Sequence, residues 1–163
     1  SGDNGILIPS SWDNKHLISA TLGCKFKKSF EIGLKYRFAG GSPYTPYDMA
    51  ISQQTYLLLG QGTLDNSKLN SQRLMAFNQL DFRIDKKINF KRTTFDVYMD
   101  IQNVLGFKNQ GNPDYTFKRT ADNSAFQTTD GKDILQDGSN AIPVILPNKE
   151  RSITPTLGLI IEF

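Results

Sequence analysis

The sequence is poor in the residues that build disulfides, metal sites and transmembrane helices. It contains one cysteine, Cys24, which excludes an internal disulfide, and one histidine, His16, which excludes a histidine-rich metal site. No apolar run approaches the roughly 18 residues that a transmembrane helix needs. The formal net charge is only +3 and the basic residues are dispersed, so nucleic acid is not an expected partner.

Catalytic and metal-binding patterns are equally scarce. Ser10, Ser11, Asp13 and His16 stand close together, but no nucleophile elbow frames the serines. Asp13 and His16 alone supply fewer ligands than a zinc site needs. The stretch from Asp130 to Gly138 lacks the spacing of an EF-hand loop, and turns explain it better than a loose calcium site does. We therefore predict no enzyme activity, no cofactor and no metal.

The sequence does contain strict alternation of apolar and polar residues. In FEIGLKYRF, Phe30 to Phe38, the even positions are apolar and the odd positions are polar or glycine. Similar segments of near membrane-crossing length predict four more strands, at about 16–26, 79–88, 94–105 and 152–163. Such a strand fits a soluble sandwich, in which the apolar face covers a core, or an outer-membrane barrel, in which that face meets lipid.

The connections between these segments alternate strictly in length. Lys27 to Ser29 and Asn89 to Thr93 are short, whereas Ala39 to Asn78 and Gly106 to Arg151 are long and rich in turn residues. Compact soluble domains rarely hold two long structureless loops, but outer-membrane barrels combine short periplasmic turns with long extracellular loops. The sequence therefore predicts an antiparallel, up-and-down transmembrane β-barrel segment with two long extracellular loops.

In that interpretation the polar side of the strands borders a water-filled lumen. We expect its mixed charges to pair with one another, and we expect Cys24 to face lipid as a small apolar residue. The predicted lumen-facing residues are Glu31, Lys35, Arg37, Asp81, Arg83, Asp85, Asp96 and Asp100.

Five stretches together resemble the C-terminal part of the barrel of TonB-dependent outer-membrane receptors, in the form common in Bacteroidota. They are PSSWDNKH (Pro9 to His16), GGSPYTPYD (Gly40 to Asp48), LDFRIDKKINF (Leu80 to Phe90), VYMDIQNVLGFKNQ (Val97 to Gln110) and ITPTLGLIIEF (Ile153 to Phe163). Their order and spacing cover nearly the whole chain.

The resemblance implies a barrel of about 22 strands, plugged by an N-terminal domain that this chain lacks. Residues 1–163 would be the last five strands of one barrel domain in the outer membrane of a Gram-negative bacterium. The implied activity is import of a nutrient such as a glycan, a peptide or a metal chelate. The implied partners are the rest of the barrel with its plug, membrane lipid, a TonB-type energising protein and a surface substrate-binding lipoprotein.

Two further expectations concern particular residues. Tyr44 and Tyr47, near the predicted outer mouth, are candidate ligand contacts, although we favour the alternative that they form a structural loop base. The C-terminal strand, with Leu157, Leu159, Ile161 and Phe163 at alternate positions, looks like the signal that barrel-assembly machinery recognises; the alternative is an ordinary amphipathic strand.

Two other functions compete with the transporter. A small passive or structural outer-membrane barrel needs about eight strands, and we count five, because Gln54 to Leu59 and Tyr115 to Thr120 keep no clean alternation. A soluble β-sandwich binding module leaves the two long loops unexplained.

Overall fold

Antiparallel β-strands form most of the regular structure in the computed structural model, which describes Gly5 and residues 7–163. The predicted all-β class is therefore confirmed at the level of secondary structure. The elements, in chain order, are β1 (Leu17–Phe26), β2 (Phe30–Ala39), β3 (Pro43–Tyr44), α1 (Met49–Leu59), a 3₁₀ turn (Asn66–Lys68), β4 (Gln72–Arg73), β5 (Phe77–Asn89), β6 (Thr94–Gln102), β7 (Asn109–Gln110), β8 (Asp114–Phe117), β9 (Pro143–Leu146), β10 (Lys149–Glu150) and β11 (Thr154–Glu162).

The described chain divides into two units, which we name the sheet unit and the loop unit. The sheet unit comprises Asn14–Gly41, Met75–Asn109 and Lys149–Phe163. The loop unit comprises Ser42–Leu74, Gln110–Asn148 and the described residues up to Asp13.

The sheet unit is built on a five-stranded antiparallel sheet in the order β1-β2-β5-β6-β11. Ala39 pairs with Phe77, and Gln102 pairs with Thr154, so both long excursions leave and re-enter the sheet at the same end. The short turns after β1 and β5 lie at the opposite end. The sheet therefore has up-and-down connectivity, with β1 and β11 as its two edges.

A buried asparagine ends β6 earlier than the alternation suggested. The strand stops at Gln102 rather than Leu105, because Asn103 turns the chain with a φ of 53°. Its side-chain Nδ2 donates to the carbonyl oxygens of Phe107 at 2.9 Å and Ser152 at 2.8 Å, and its Oδ1 accepts from the Phe107 N–H. One side chain thus fixes the start of the second long excursion and the approach to β11.

The first long excursion contains a helix that the sequence analysis did not predict. The Asp48 side chain caps α1 by accepting from the backbone N–H groups of Ala50 and Ile51, both at 3.0 Å. Gly60 ends the helix with a φ of 68°, a conformation that favours glycine. Gln54 to Leu59 is therefore helical. No helix in the described part of the chain is long and apolar enough to cross a membrane.

The loop unit has a small aromatic core of its own. Tyr115, Phe117 and Ala141 are buried, and the Phe117 side chain is only 1% exposed. The ring centroid of Tyr56 lies 4.7 Å from that of Phe117, within the range of favourable aromatic pairs. The partly buried side chains packed on this core are Tyr47, Tyr56, Phe126 and Ile134.

Hydrogen bonds from α1 join the two long excursions. The Gln53 Nε2 donates to the carbonyl oxygens of Gly138 at 3.1 Å and Ala141 at 3.2 Å. Gly138 has a φ of 65°, and a Cβ at this position would lie 2.5 Å from the Gln53 carbonyl oxygen. The close approach of these segments therefore requires glycine.

We expect Phe117→Ala to lower the free energy of unfolding of the loop unit by about 3–5 kcal/mol, because it removes a fully buried ring and leaves a cavity. Hydrogen exchange of the backbone amides in β8 and β9 measures this effect. Leu58→Ala is the matched control, since Leu58 is 86% exposed and should change protection little. Equal loss of protection in both variants would contradict a core centred on Phe117.

Candidate functional site

The eight charged residues predicted to face a lumen lie on one face of the sheet. In the backbone register of the sheet, Lys35 on β2 lies directly opposite Asp81 on β5, and Arg83 on β5 lies directly opposite Asp100 on β6. Side chains directly opposite in such pairs point to the same face. Sequence spacing could assign each residue only to a face of its own strand. The register shows that the residues of β2, β5 and β6 share one face of the sheet.

Most of these charges form ion pairs with neighbours on the same face. Arg37 Nη2 lies 3.2 Å from Asp81 Oδ2, and Arg83 Nη2 lies 2.7 Å from Asp85 Oδ1. The face also holds the pairs Lys25–Glu31 at 3.6 Å and Lys87–Asp96 at 3.7 Å. Lys35 and Asp100 form no ion pair with any described residue. Because the signs are mixed, the face is suited to a hydrated wall rather than to concentrating ions of one sign.

One aromatic contact on this face was not anticipated. The guanidinium carbon of Arg83 lies 4.1 Å from the centroid of the Tyr98 ring, a cation–π distance. The same ring covers Gly158 on the next strand, where a Cβ would lie 2.1 Å from Tyr98 Cζ. Gly158 therefore leaves space for the Tyr98 ring, which stacks against the Arg83 guanidinium. This arrangement is visible only once the strand register is known.

The opposite face of the sheet is apolar and exposed. Leu22 on β1 is 70% exposed and Leu157 on β11 is 78% exposed. Cys24 is also exposed on the apolar face. No described residue of the sheet unit is a buried hydrophobic side chain. The apolar face of this single-layered sheet is therefore left uncovered within the described chain.

The C-terminal residues proposed as an assembly signal extend this apolar face. Leu157, Leu159 and Ile161 alternate along β11 and pair with Met99, Val97 and Phe95. Phe163 follows the strand and is almost fully exposed.

Tyr44 and Tyr47 share one cavity of about 700 Å³ within the loop unit. The Tyr44 hydroxyl donates to Gln72 Oε1 at 3.2 Å, and the Tyr47 hydroxyl donates to the carbonyl oxygen of Pro113 at 3.1 Å. Both rings are thus held by their own hydroxyl groups. The volume falls in the range of about 300–1,000 Å³ typical of small-molecule sites.

Several other cavity residues escaped the sequence analysis. Gly62 allows the walls to close, since a Cβ there would lie 2.6 Å from Tyr115 Cβ and 2.7 Å from Tyr47 Cδ1. These residues come from distant parts of the chain, so no local motif could identify them. The remaining polar and aromatic lining side chains are Ser11, Thr45, Tyr56, Gln61, Asn70, Asn112, Asp114 and Thr116.

The electrostatics of the cavity keep the Tyr47 phenol neutral. Partial burial raises the pKa of Tyr47 above its usual value, and the negative charge of Asp114 raises it further. Burial likewise raises the pKa of Tyr115. Tyr47 therefore remains a hydrogen-bond donor to Pro113 well into the alkaline range.

The acidic residues considered as metal ligands make structural contacts. Asp13 Oδ2 lies 2.6 Å from Arg73 Nη2, and Asp130 Oδ1 accepts from the Lys132 N–H at 3.1 Å. Asp137 Oδ1 accepts from the Ser139 N–H at 3.0 Å. Within the described residues, no group of three or more His, Cys, Asp or Glu side chains is placed to hold a metal ion.

We expect Asp114→Asn to lower the pKa of Tyr47 while leaving it above the ordinary phenol value, because burial remains. A raised phenol pKa contributes stability that is complete below the unfolded pKa and is lost as the pH rises through the folded value. The variant should therefore lose less stability at alkaline pH than the wild type. A pH titration of ¹³Cζ-labelled tyrosines by NMR measures the shift, and an unchanged Tyr47 pKa would contradict the role given to Asp114.

Comparison of the chain with protein-family models, with characterised proteins and with solved structures gives no match.

Proposed function

We propose that this chain forms the C-terminal wall of a TonB-dependent transporter that imports a nutrient across the outer membrane of a Gram-negative bacterium. The observation that carries the proposal is the uncovered apolar face of the five-stranded sheet. Its apolar face is exposed at Leu22 and Leu157, while its polar face contains a network of ion pairs. Exposed apolar bands and hydrated interiors are the pattern of outer-membrane barrels.

The connectivity of the sheet supports the same function. Both long excursions leave one end of the sheet, and both short turns lie at the other, which corresponds to the extracellular and periplasmic ends of a barrel. The edges β1 and β11 each have one side without a partner strand in the described chain. Since unpaired backbone groups are costly in lipid, strands from outside this chain would complete the barrel.

The energised step of transport rests on the resemblance described above. A plug inside the barrel would contact the charged face of the sheet, and an inner-membrane TonB-type protein would open that plug. A surface lipoprotein would deliver the nutrient to the loop unit. In this proposal the chain contributes the wall and part of the outer mouth, and it performs no covalent chemistry.

The uncovered apolar face also weighs against a soluble sandwich. A sandwich needs a second layer over the apolar face, yet Leu22, Leu34 and Leu159 on that face are all exposed.

We expect Leu22→Arg to block stable assembly into the outer membrane, because an arginine facing the middle of the bilayer costs about 2–4 kcal/mol. Thr21→Arg is the matched control, since the neighbouring residue points to the polar face, opposite Lys35. Membrane fractionation and the heat-dependent shift in gel mobility measure assembly. A Leu22→Arg protein that assembles as well as the Thr21→Arg protein would contradict lipid contact, and a wild-type protein found only in the soluble fraction would refute the proposed function.

A further inference from the structure

We propose that the short-turn end of the sheet binds an anionic glycerophospholipid, with lysine side chains on its phosphate and phenylalanine rings against its acyl chains. The site is a cavity of about 470 Å³ in the sheet unit, which we name the turn pocket. Its lining residues are Phe26, Lys27, Lys28, Phe30, Ile32 and Lys86. The inference rests on the proposed function, because a phospholipid reaches this site only if the apolar face of the sheet meets a bilayer. It goes beyond that function by assigning one class of lipid to one set of residues.

The turns at this end of the sheet carry basic side chains that no described acidic residue neutralises. Lys27 and Lys28 lie in the turn after β1, and Lys91 and Arg92 lie in the turn after β5. All four are exposed, and none forms an ion pair with a described residue. By contrast, the lysines at this end that point to the polar face are paired with carboxylates. The turns therefore keep an excess of positive charge that attracts anions.

Lys86 brings a positive charge onto the apolar face itself. Among the described residues of the five strands, it is the only charged residue on that face, and the register places it between Phe30 on β2 and Val97 on β6. Its ammonium group donates to the carbonyl oxygen of Lys28, which leaves two of its three N–H donors for a phosphate. This hydrogen bond holds the charge at the turn, near the membrane interface, where a cation facing lipid costs little.

Apolar side chains form the rest of the wall. Phe26 and Phe30 lie opposite each other where β1 ends and β2 begins, and their ring centroids are 6.3 Å apart. The Phe26 side chain is 51% exposed. Ile32 continues this wall along β2, away from the turn. A molecule that contacts both the lysines and this wall has an anionic head and an apolar tail, which is the chemistry of a phospholipid at a membrane interface.

The charge of the turn pocket favours a lipid with a net negative headgroup. The lining contains three lysines and no aspartate or glutamate. The ammonium group of phosphatidylethanolamine would therefore find no partner there, and the lysines would repel it. A free phosphate would use the lysines but leave the phenylalanine wall in contact with water. Phosphatidylglycerol carries the phosphate and the acyl chains without a compensating positive charge.

The test is fluorescence quenching by brominated lipids in vesicles that contain the whole polypeptide to which this chain belongs. A fluorophore on Cys24 is the reporter, because Cys24 lies opposite Ile32 and does not itself line the turn pocket. Any cysteine outside this chain is replaced by serine. The vesicles contain equal amounts of phosphatidylglycerol and phosphatidylethanolamine, and one lipid at a time carries bromine on its acyl chains. We expect a relative binding constant of about tenfold or more in favour of phosphatidylglycerol. Equal quenching by the two lipids would overturn the inference.

Substitutions assign this preference to the turn pocket. Lys86→Met removes the charge but keeps an unbranched side chain, and it should reduce the preference about fivefold, as expected for one cation near a membrane surface. Lys86→Arg keeps the charge and should preserve the preference within about twofold. Lys91→Met is the matched control, because Lys91 is an exposed basic residue of the neighbouring turn that does not line the pocket. Equal losses in Lys86→Met and Lys91→Met would indicate diffuse attraction and overturn the assignment.

Competition with inorganic phosphate separates a lipid site from a site for soluble phosphate. Replacing sodium chloride by sodium phosphate at constant ionic strength should leave the quenching by brominated phosphatidylglycerol unchanged, because a soluble anion gains nothing from the phenylalanine wall. Displacement of the lipid would overturn the proposal. A protein that enters the membrane but shows no lipid preference refutes this inference alone, whereas a protein that never enters the membrane refutes the proposed function.

Discussion

The register between β2 and β5 is the constraint on which both faces of the sheet depend. Successive side chains of a strand point to opposite faces, so a slip of one residue would exchange the polar and apolar sets. In the observed register, Lys35 lies opposite Asp81 and Leu34 opposite Phe82. The ion pair of Arg37 with Asp81 reinforces this register on one face. Apolar residues lie opposite one another on the other face, so the sheet presents one polar and one apolar face.

The two units reach stability by different means. All the buried hydrophobic side chains of the described residues, Tyr115, Phe117 and Ala141, belong to the loop unit. The sheet unit leaves apolar side chains such as Leu22 and Leu157 exposed, so their burial depends on surroundings outside the described chain. The long excursions carry their own aromatic core and the hydrogen bonds of Gln53, so they can hold Tyr44 and Tyr47 in fixed positions. The long excursions therefore form an ordered unit with a cavity rather than unstructured loops.

Local patterns predicted the sheet well and the loop unit poorly. Alternation at Phe30 to Phe38 identified a strand and its two faces, because side-chain direction in a strand depends only on neighbours in sequence. The helix α1 was not predicted, because its apolar residues form no clear stripe along one helical face. Its N-cap, Asp48, also lies in a stretch dense with turn residues. The cavity could not be predicted beyond Tyr44 and Tyr47. Its other members, such as Gln61 and Asn112, meet only through tertiary packing.

The most direct test of the account is the environment of Cys24, the only cysteine of this chain. A nitroxide attached there, in the whole polypeptide reconstituted into lipid vesicles, reports collisions with oxygen, which concentrates in lipid, and with a water-soluble nickel chelate. Thr21→Cys, in a background with Cys24→Ser, places the same label on the polar face. If the apolar face meets lipid, oxygen collisions dominate at position 24 and the nickel chelate has greater access at position 21. Greater access of the nickel chelate at position 24 would contradict a lipid-facing sheet.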